Sequence, residues 1–328
     1  MNLNRRDFLC KSTALLAGMS FSSCRKFWED KKFKVIWIHL EGAPYRPLFD
    51  LWIDPLNQNS LTSPTVTSKA YQIRGQTISV PDLLFKEETP SPLLKNWASI
   101  RGLETTSPHL QECREEWLKT PDGLPILEEL TREGKKTTSN FSTQMFTAFP
   151  DDSNILTKKS GPELSQIILK GYKDRNFEEI TDLSEENLAF LNSFYAYLLK
   201  RLEVLVTQLE KIQQFEKTMI IVTGDRTKTV VEEKSPYPLE STWQGHNFSL
   251  LSGAIMGPLN IGHIYKEHPK YAKSYPGTWG VGNEQWRPTH FHSLLKDLLG
   301  LGRTEENPWL RLNSLNQIFF KVPQGIIL

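Results

Sequence analysis

Cysteine is scarce in this chain: three residues in 328, Cys10, Cys24 and Cys113. That excludes a disulfide-stapled scaffold, which needs a denser set. An excess of one charge is missing too. Lysine and arginine number 39 and aspartate and glutamate 38, for a formal charge of +1. A protein that coats nucleic acid needs a strong basic surplus, so that partner class is excluded. No apolar run reaches the ~20 residues of a spanning helix, so no transmembrane span is expected in the mature chain. A Gly-rich dinucleotide loop, a P-loop, a Gly-x-Ser-x-Gly elbow and a Cys-x-x-Cys pair are all absent. Core material is plentiful: 38% of residues are hydrophobic, with 17 Phe, 9 Tyr and 9 Trp. Whole-chain disorder is thereby excluded. The length admits two domains or one large α/β domain.

Residues 1–24, MNLNRRDFLCKSTALLAGMSFSSC, read as an export address. Arg5 and Arg6 are followed by Asp7, Phe8 and Leu9, then by a short, mildly apolar stretch from Thr13 to Phe21. A basic segment before a short apolar one is a signal peptide, and the paired arginines point to the twin-arginine route. The alternative is an ordinary amphipathic N-terminal helix. Cys24 follows Phe21-Ser22-Ser23, and small residues before a cysteine are what a lipoprotein processing site needs. Plain cleavage and a lipid anchor at Cys24 both stay open. An anchor would make the mature chain a peripheral envelope protein, and plain cleavage a periplasmic one. With Cys10 and Cys24 in the address, Cys113 remains in the body, and its charged helical surroundings favour a packed residue over a nucleophile.

A charged linker over 25–33 leads into the body at 34–328, which reads as one α/β domain. Phe33 to Leu40 is a continuous apolar, β-branched and aromatic run: a buried strand, broken by Glu41-Gly42-Ala43-Pro44. A short strand is expected near Tyr71–Ile73, and another over Ala98–Leu103 after a short helix from Leu93. Ser107-Pro108 is a strong helix start, predicting a helix through Trp117. Helices are also predicted over Leu124–Glu133 and Pro162–Tyr172, with a strand over Phe141–Ala148. From Ser184 to Gln214, leucines and aromatics recur at spacings of three and four, giving a helix of about eight turns. A crossover helix against a sheet and a coiled-coil partner helix are the two readings of it. Met219–Thr223 is a second buried strand, stopping at Gly224-Asp225-Arg226, and Phe248–Met256 a third. Pro288–Leu299 closes the series as an amphipathic helix; there His290 and His292, two apart, fall on different faces and make no metal pair. Strands alternating with helices predict a mostly parallel sheet with helices on both faces.

In open α/β sheets, ligands gather beyond the carboxyl ends of strands. Glu41 follows the first strand, Asp225 the second, and His246 precedes the third. Two carboxylates and an imidazole are a donor set for a divalent metal. The alternative is that Asp225 and Arg226 cap a turn and His246 makes a core hydrogen bond. The turn Glu104–His109 adds a second feature, because the first N–H groups of the following helix form an anion site. Ser107 there could serve as nucleophile, with His109 as base or phosphate contact. The plainer role for Ser107 is helix N-cap.

The order of these segments resembles the DUF1501 family, exported bacterial proteins related to the alkaline phosphatase and sulfatase superfamily. Asn4-Arg5-Arg6-Asp7-Phe8-Leu9 is similar to its leader. Val35 to Pro44, then Phe49-Asp50, are similar to its first strand, glycine turn and Phe-Asp pair. Ser107-Pro108-His109 through Thr120-Pro121-Asp122-Gly123 resembles its Ser-His segment. Met219–Thr227, Trp243–Phe248 and Pro288–Gly300 resemble its later strand ends and closing helix. The likeness is dispersed over most of 34–302. It implies an alkaline phosphatase-like fold. Departures fall at the chemistry: Glu41 stands for the first glycine of the turn, Asp225 lies directly before Arg226, and Gly245 replaces the acid before His246.

Two functions follow. One is an exported envelope protein that keeps the fold of metal-dependent phosphate and sulfate ester hydrolases with a degenerate ligand set and a non-catalytic role. The other is an active hydrolase. In that case Glu41, Asp225 and His246 hold metal, Ser107 or a metal-bound water attacks, and Arg226 stabilises the anionic transition state.

Overall fold

The apolar run after the linker forms strand β1 (Lys34–Leu40), buried from Val35 onward. Side chains alternate across a strand. Ile36, Ile38 and Leu40 enter one hydrophobic cluster, Val35 and Trp37 the other. A strand buried on both sides needs a layer above and a layer below. The computed structural model describes residues 33–42, 44–50, 67–73, 76–103, 109–142, 161–225, 227–230, 239–242, 246–255, 257–262 and 288–301. The export address and Cys24 lie outside these residues.

Six further strands join β1 in one sheet: β2 (Trp97–Leu103), β3 (Thr137–Ser142), β4 (Leu164–Leu169), β5 (Thr218–Gly224), β6 (His246–Leu251) and β7 (Leu259–Gly262). Their spatial order is β7-β2-β6-β5-β1-β4-β3. β3, β4, β1 and β5 pair in parallel, as do β2 and β7, while β6 is antiparallel to β5 and to β2. Helices α1 (Leu110–Leu118), α2 (Ile126–Arg132), α3 (Glu185–Lys211) and α4 (Pro288–Leu298) form the outer layers. α3 covers one face, and α1, α2 and α4 cover the other. This is the mostly parallel α/β sheet with helices on both faces that the alternation predicts. Among the described residues no helix is long and apolar enough to cross a membrane.

α3 runs for 27 residues, and its stripe from Leu191 to Leu209 is buried in the core cluster of its own sheet. It is therefore a crossover helix rather than half of a coiled coil. The Ser184 side chain accepts the Asn187 N–H at 3.5 Å, and Asp182 Oδ1 accepts the Ser184 N–H at 3.0 Å. Both side chains serve the start of the helix. α2 ends at Gly134 and α4 at Gly300, each glycine at positive φ (84° and 71°), where a side chain is disfavoured.

Four local expectations are corrected. Leu164–Leu169 is strand β4, not part of a helix over 162–172; all six residues are buried between β1 and β3. A short apolar run carries no decisive period, and parallel pairing on both edges settles it. The third strand is His246–Leu251 rather than Phe248–Met256, because a turn at Ser252, where the Ile255 N–H bonds the Ser252 carbonyl at 2.9 Å, ends it. The strand near Phe141 runs over Thr137–Ser142, and 143–148 lie outside the described residues. α1 starts at Leu110, since His109 is still extended (φ −91°, ψ 131°).

Candidate functional site

β1 and β5 lie side by side in parallel register, with Leu40 opposite Gly224. The residues that follow them, Glu41 and Asp225, therefore emerge together at the carboxyl end of the sheet. Both are buried, Asp225 completely. The turn after β1 depends on Gly42. Its φ is +93°, and a Cβ there would stand 2.9 Å from the Glu178 backbone nitrogen, so both backbone and space demand glycine. That close passage lets the Gly42 N–H donate to Asp225 Oδ2 at 2.8 Å.

Below the carboxylates a polar chain runs through the sheet. Trp37 Nε1–H donates to Thr223 Oγ1 at 2.7 Å. Thr223 Oγ1 lies 2.8 Å from His39 Nδ1, and His39 Nε2 lies 2.7 Å from Asp225 Oδ1. Trp can only donate. The direction that satisfies each group has the Thr223 hydroxyl donating to Nδ1 and Nε2–H donating to Asp225. The hydrogen positions are assigned on the network rather than observed. His39 and Thr223 face each other in register, and both are buried.

Above the carboxylates sits Arg114 of α1. Its Nε and Nη2 each lie 3.2 Å from Asp225 Oδ2. Nη1 lies 3.0 Å from Glu41 Oε1, and Nη2 2.6 Å from Glu178 Oε1. Lys170, directly after β4, places Nζ 3.0 Å from Glu41 Oε1. Arg114 and Trp117, three apart, share a helix face, and the Trp117 indole N–H donates to the Asp225 carbonyl at 3.2 Å. Trp117 is held in turn by His292 of α4, whose Nε2 donates to its carbonyl at 2.8 Å.

These contacts set the charges. Burial alone would raise the Asp225 carboxyl. The His39 hydrogen bond and coulombic attraction, the Arg114 cation and the Gly42 N–H outweigh it and hold the group below the usual aspartate range. For Arg114, burial works against the cation, but Asp225, Glu178 and Glu41 together raise it. Three carboxylates face the cations Arg114 and Lys170.

A second buried ion pair lies below, between Arg46 and Asp50 of the Phe49-Asp50 pair. Arg46 Nε donates to Asp50 Oδ1 at 2.9 Å, and Nη2 pairs with Oδ2. Ser249 of β6 donates to Asp50 Oδ2 at 2.7 Å, Ser99 of β2 donates to the Asp50 carbonyl, and Arg46 Nη2 reaches the Val222 carbonyl of β5 at 3.3 Å. The pair ties three strands to the segment after β1. Burial pushes the Arg46 guanidinium down to about 10, leaving it protonated at neutral pH.

Of the residues singled out in the sequence, Glu41 and Asp225 are brought together, with Arg114 bridging them. His246 opens β6, whose antiparallel register places that strand start at the same end of the sheet; its side chain lies outside the described residues. His109 is exposed and occupies the N-cap position of α1 without a side-chain cap. Ser107 and Arg226 lie outside the described residues. Cys113 is buried. His39, Thr223, Arg114, Lys170 and Glu178 were not anticipated. His39 and Thr223 carried a signal, a polar residue inside an apolar strand. Arg114 carried none. Among the described residues, no group of three or more His, Cys, Asp or Glu could hold a metal ion.

No family model matches the chain. No curated protein matches it either. Solved structures with a similar chain course include murine ectonucleotide pyrophosphatase/phosphodiesterase 5 (11% identity, TM-score 0.41, covering 83% of this chain and 96% of that one). Another is the lipoteichoic acid synthase LtaP from Listeria monocytogenes (13% identity, TM-score 0.41, 88% and 74%). A third is the C-terminal periplasmic domain of EptC from Escherichia coli in complex with zinc (10% identity, TM-score 0.44, 87% and 89%).

Proposed function

We propose that this chain is an exported cell-envelope protein on an alkaline phosphatase/sulfatase-like scaffold, with a binding role in place of ester hydrolysis. The observation that carries this is the state of the Asp225 carboxylate. Oδ1 accepts from His39, and Oδ2 accepts from the Gly42 N–H and from Arg114. A divalent ion needs carboxylate lone pairs aimed at open space, and here the chain's own donors take them. Glu41 faces Arg114 and Lys170. An ion entering between Glu41 and Asp225 would meet the guanidinium charge. The described donor set does not fit a divalent metal, and no catalytic step is derived through one.

The scaffold assignment is supported by the mostly parallel sheet with helices on both faces and by the segments over 34–302 that resemble the DUF1501 family. Export by the twin-arginine route is supported by Arg5-Arg6-Asp7-Phe8-Leu9, and a lipid anchor at Cys24 by the small residues before it. Replacing both arginines with lysine is expected to trap the chain in the cytoplasm. Cys24→Ala is expected to release an anchored chain from the membrane fraction.

The functional test is turnover of aryl phosphate monoesters, phosphodiesters and aryl sulfates by the full chain, with zinc, manganese or calcium added. No turnover above buffer is expected. Metal-dependent turnover abolished by Ser107→Ala would overturn the proposal in favour of an active hydrolase.

A further inference from the structure

Arg114 touches carboxylates from three separate parts of the chain. Glu41 follows β1, Asp225 follows β5, and Glu178 lies in the short 3-10 turn Phe177–Glu179. All three nitrogens of the fork are engaged, at 2.6 to 3.2 Å. The Arg114 side chain is 21% exposed and Asp225 is 0% exposed, so the contact with Asp225 is shielded from water. An exposed arginine–glutamate pair contributes little. This arrangement differs, because carboxylates drawn to one point repel each other unless a cation stands among them. Lys170 cannot be that cation alone, since its contact is with Glu41.

We propose that Arg114 is the resident cation of the strand-end carboxylates, holding the place of a divalent ion with a single positive charge, beside Lys170 on Glu41, and thereby closing the cluster to metal. The inference rests on the non-catalytic reading above and states which side chain enforces it. A planar guanidinium can serve several carboxylates at once through fixed, divergent donors. It cannot polarise a substrate oxygen or activate water as a metal does. The exchange keeps a cation in contact with the ends of β1 and β5 and the Glu178 turn and removes the chemistry.

The test is thermal unfolding of the full chain, in chelator and then in zinc, manganese or calcium. The wild type is expected to melt alike in every condition. R114A is expected to melt lower in chelator and to regain about 5 °C or more at saturating metal. Adding Asp225→Asn to R114A is expected to abolish that gain. R114K keeps a cation and is expected to ignore metal. R114A that folds only when metal is present supports the proposal as well. R114A that folds and ignores every ion overturns it. Should R114A fail to fold in all conditions, Arg114→Gln, which retains N–H donors without charge, is melted in the same way. A metal-dependent rise then supports the proposal, and indifference or failure to fold with metal overturns it. A wild-type chain that is itself stabilised by metal, with the effect lost in Asp225→Asn, overturns the non-catalytic reading. An indifferent R114A beside a metal-free wild type overturns the resident-cation proposal alone.

Discussion

His39 Nε2 stands 2.7 Å from Asp225 Oδ1, and neither side chain is exposed to solvent. The pair joins the inside of one strand to the residue just past the end of its parallel neighbour. It is the lower half of a cluster whose upper half is Arg114, so Asp225 is held from two sides. His39→Leu keeps the volume and removes the lower donor. The expected cost is about 2–4 kcal/mol, because a buried carboxylate loses a partner and the Thr223 hydroxyl loses its acceptor. The urea midpoint of the variant should fall accordingly; a midpoint within error of the wild type would contradict the assigned chain of donors.

Asp225 also predicts an acid limb. Its folded pKa lies below the ordinary value of 3.8. Its contribution is therefore complete above the unfolded pKa and is lost as pH falls through that value toward the folded one. Asp225→Asn should be less stable than the wild type at neutral pH. The gap between the two should narrow as pH drops below about 4. A gap that stays constant down to acid pH would count against it.

His292 gives a second titration at milder pH. Burial, the largest influence, holds its imidazole below the ordinary 6.5, against the Trp117 carbonyl and Glu129, while Lys296 lowers it further. Its Nδ1 is buried without a partner among the described residues, and protonating it would place a charge there. The unfolded chain takes up this proton first, so stability should decline as pH falls from about 6.5. His292→Gln can keep a donor to Trp117 without titrating. It should flatten the dependence of the unfolding midpoint between about pH 5 and pH 7; an unchanged slope would assign that slope to other groups.

The Arg46–Asp50 pair is a second buried ion pair. Arg46→Met removes the guanidinium from Asp50 and should cost about 3–5 kcal/mol. The double variant Arg46→Met, Asp50→Leu should recover much of that loss, because neither charge then remains to be desolvated. Chemical denaturation of the two variants checks this. Additive losses would mean that the two residues do not act as a pair.

How much of this was legible in the sequence varies with the signal each residue carries. β1 and β5 announce themselves as apolar runs stopped by glycine, and α3 by its spacing of leucines. Glu41 and Asp225 were legible for the same reason: they are the first acids past those runs. β4 was not, because a six-residue run with four apolar residues suits a helix or a buried strand equally. The reversed direction of β6 was not legible either, since an apolar run carries no direction. The cations were hidden more deeply. Arg114 lies 111 residues from Asp225 and 64 from Glu178, on a charged helix where one more arginine is unremarkable. Read without these distant partners, the two acids suggest a metal site; the fold sets Arg114 and Lys170 against them.

On the proposal above, the chain's own cations, not a metal, neutralise the carboxylates at the ends of β1 and β5. The most direct measurement is metal stoichiometry of the purified full chain after equilibration with zinc, manganese and calcium and removal of free ions. Far less than one ion per chain is expected. Retention of one equivalent, lost together in Glu41→Gln and Asp225→Asn, would contradict it.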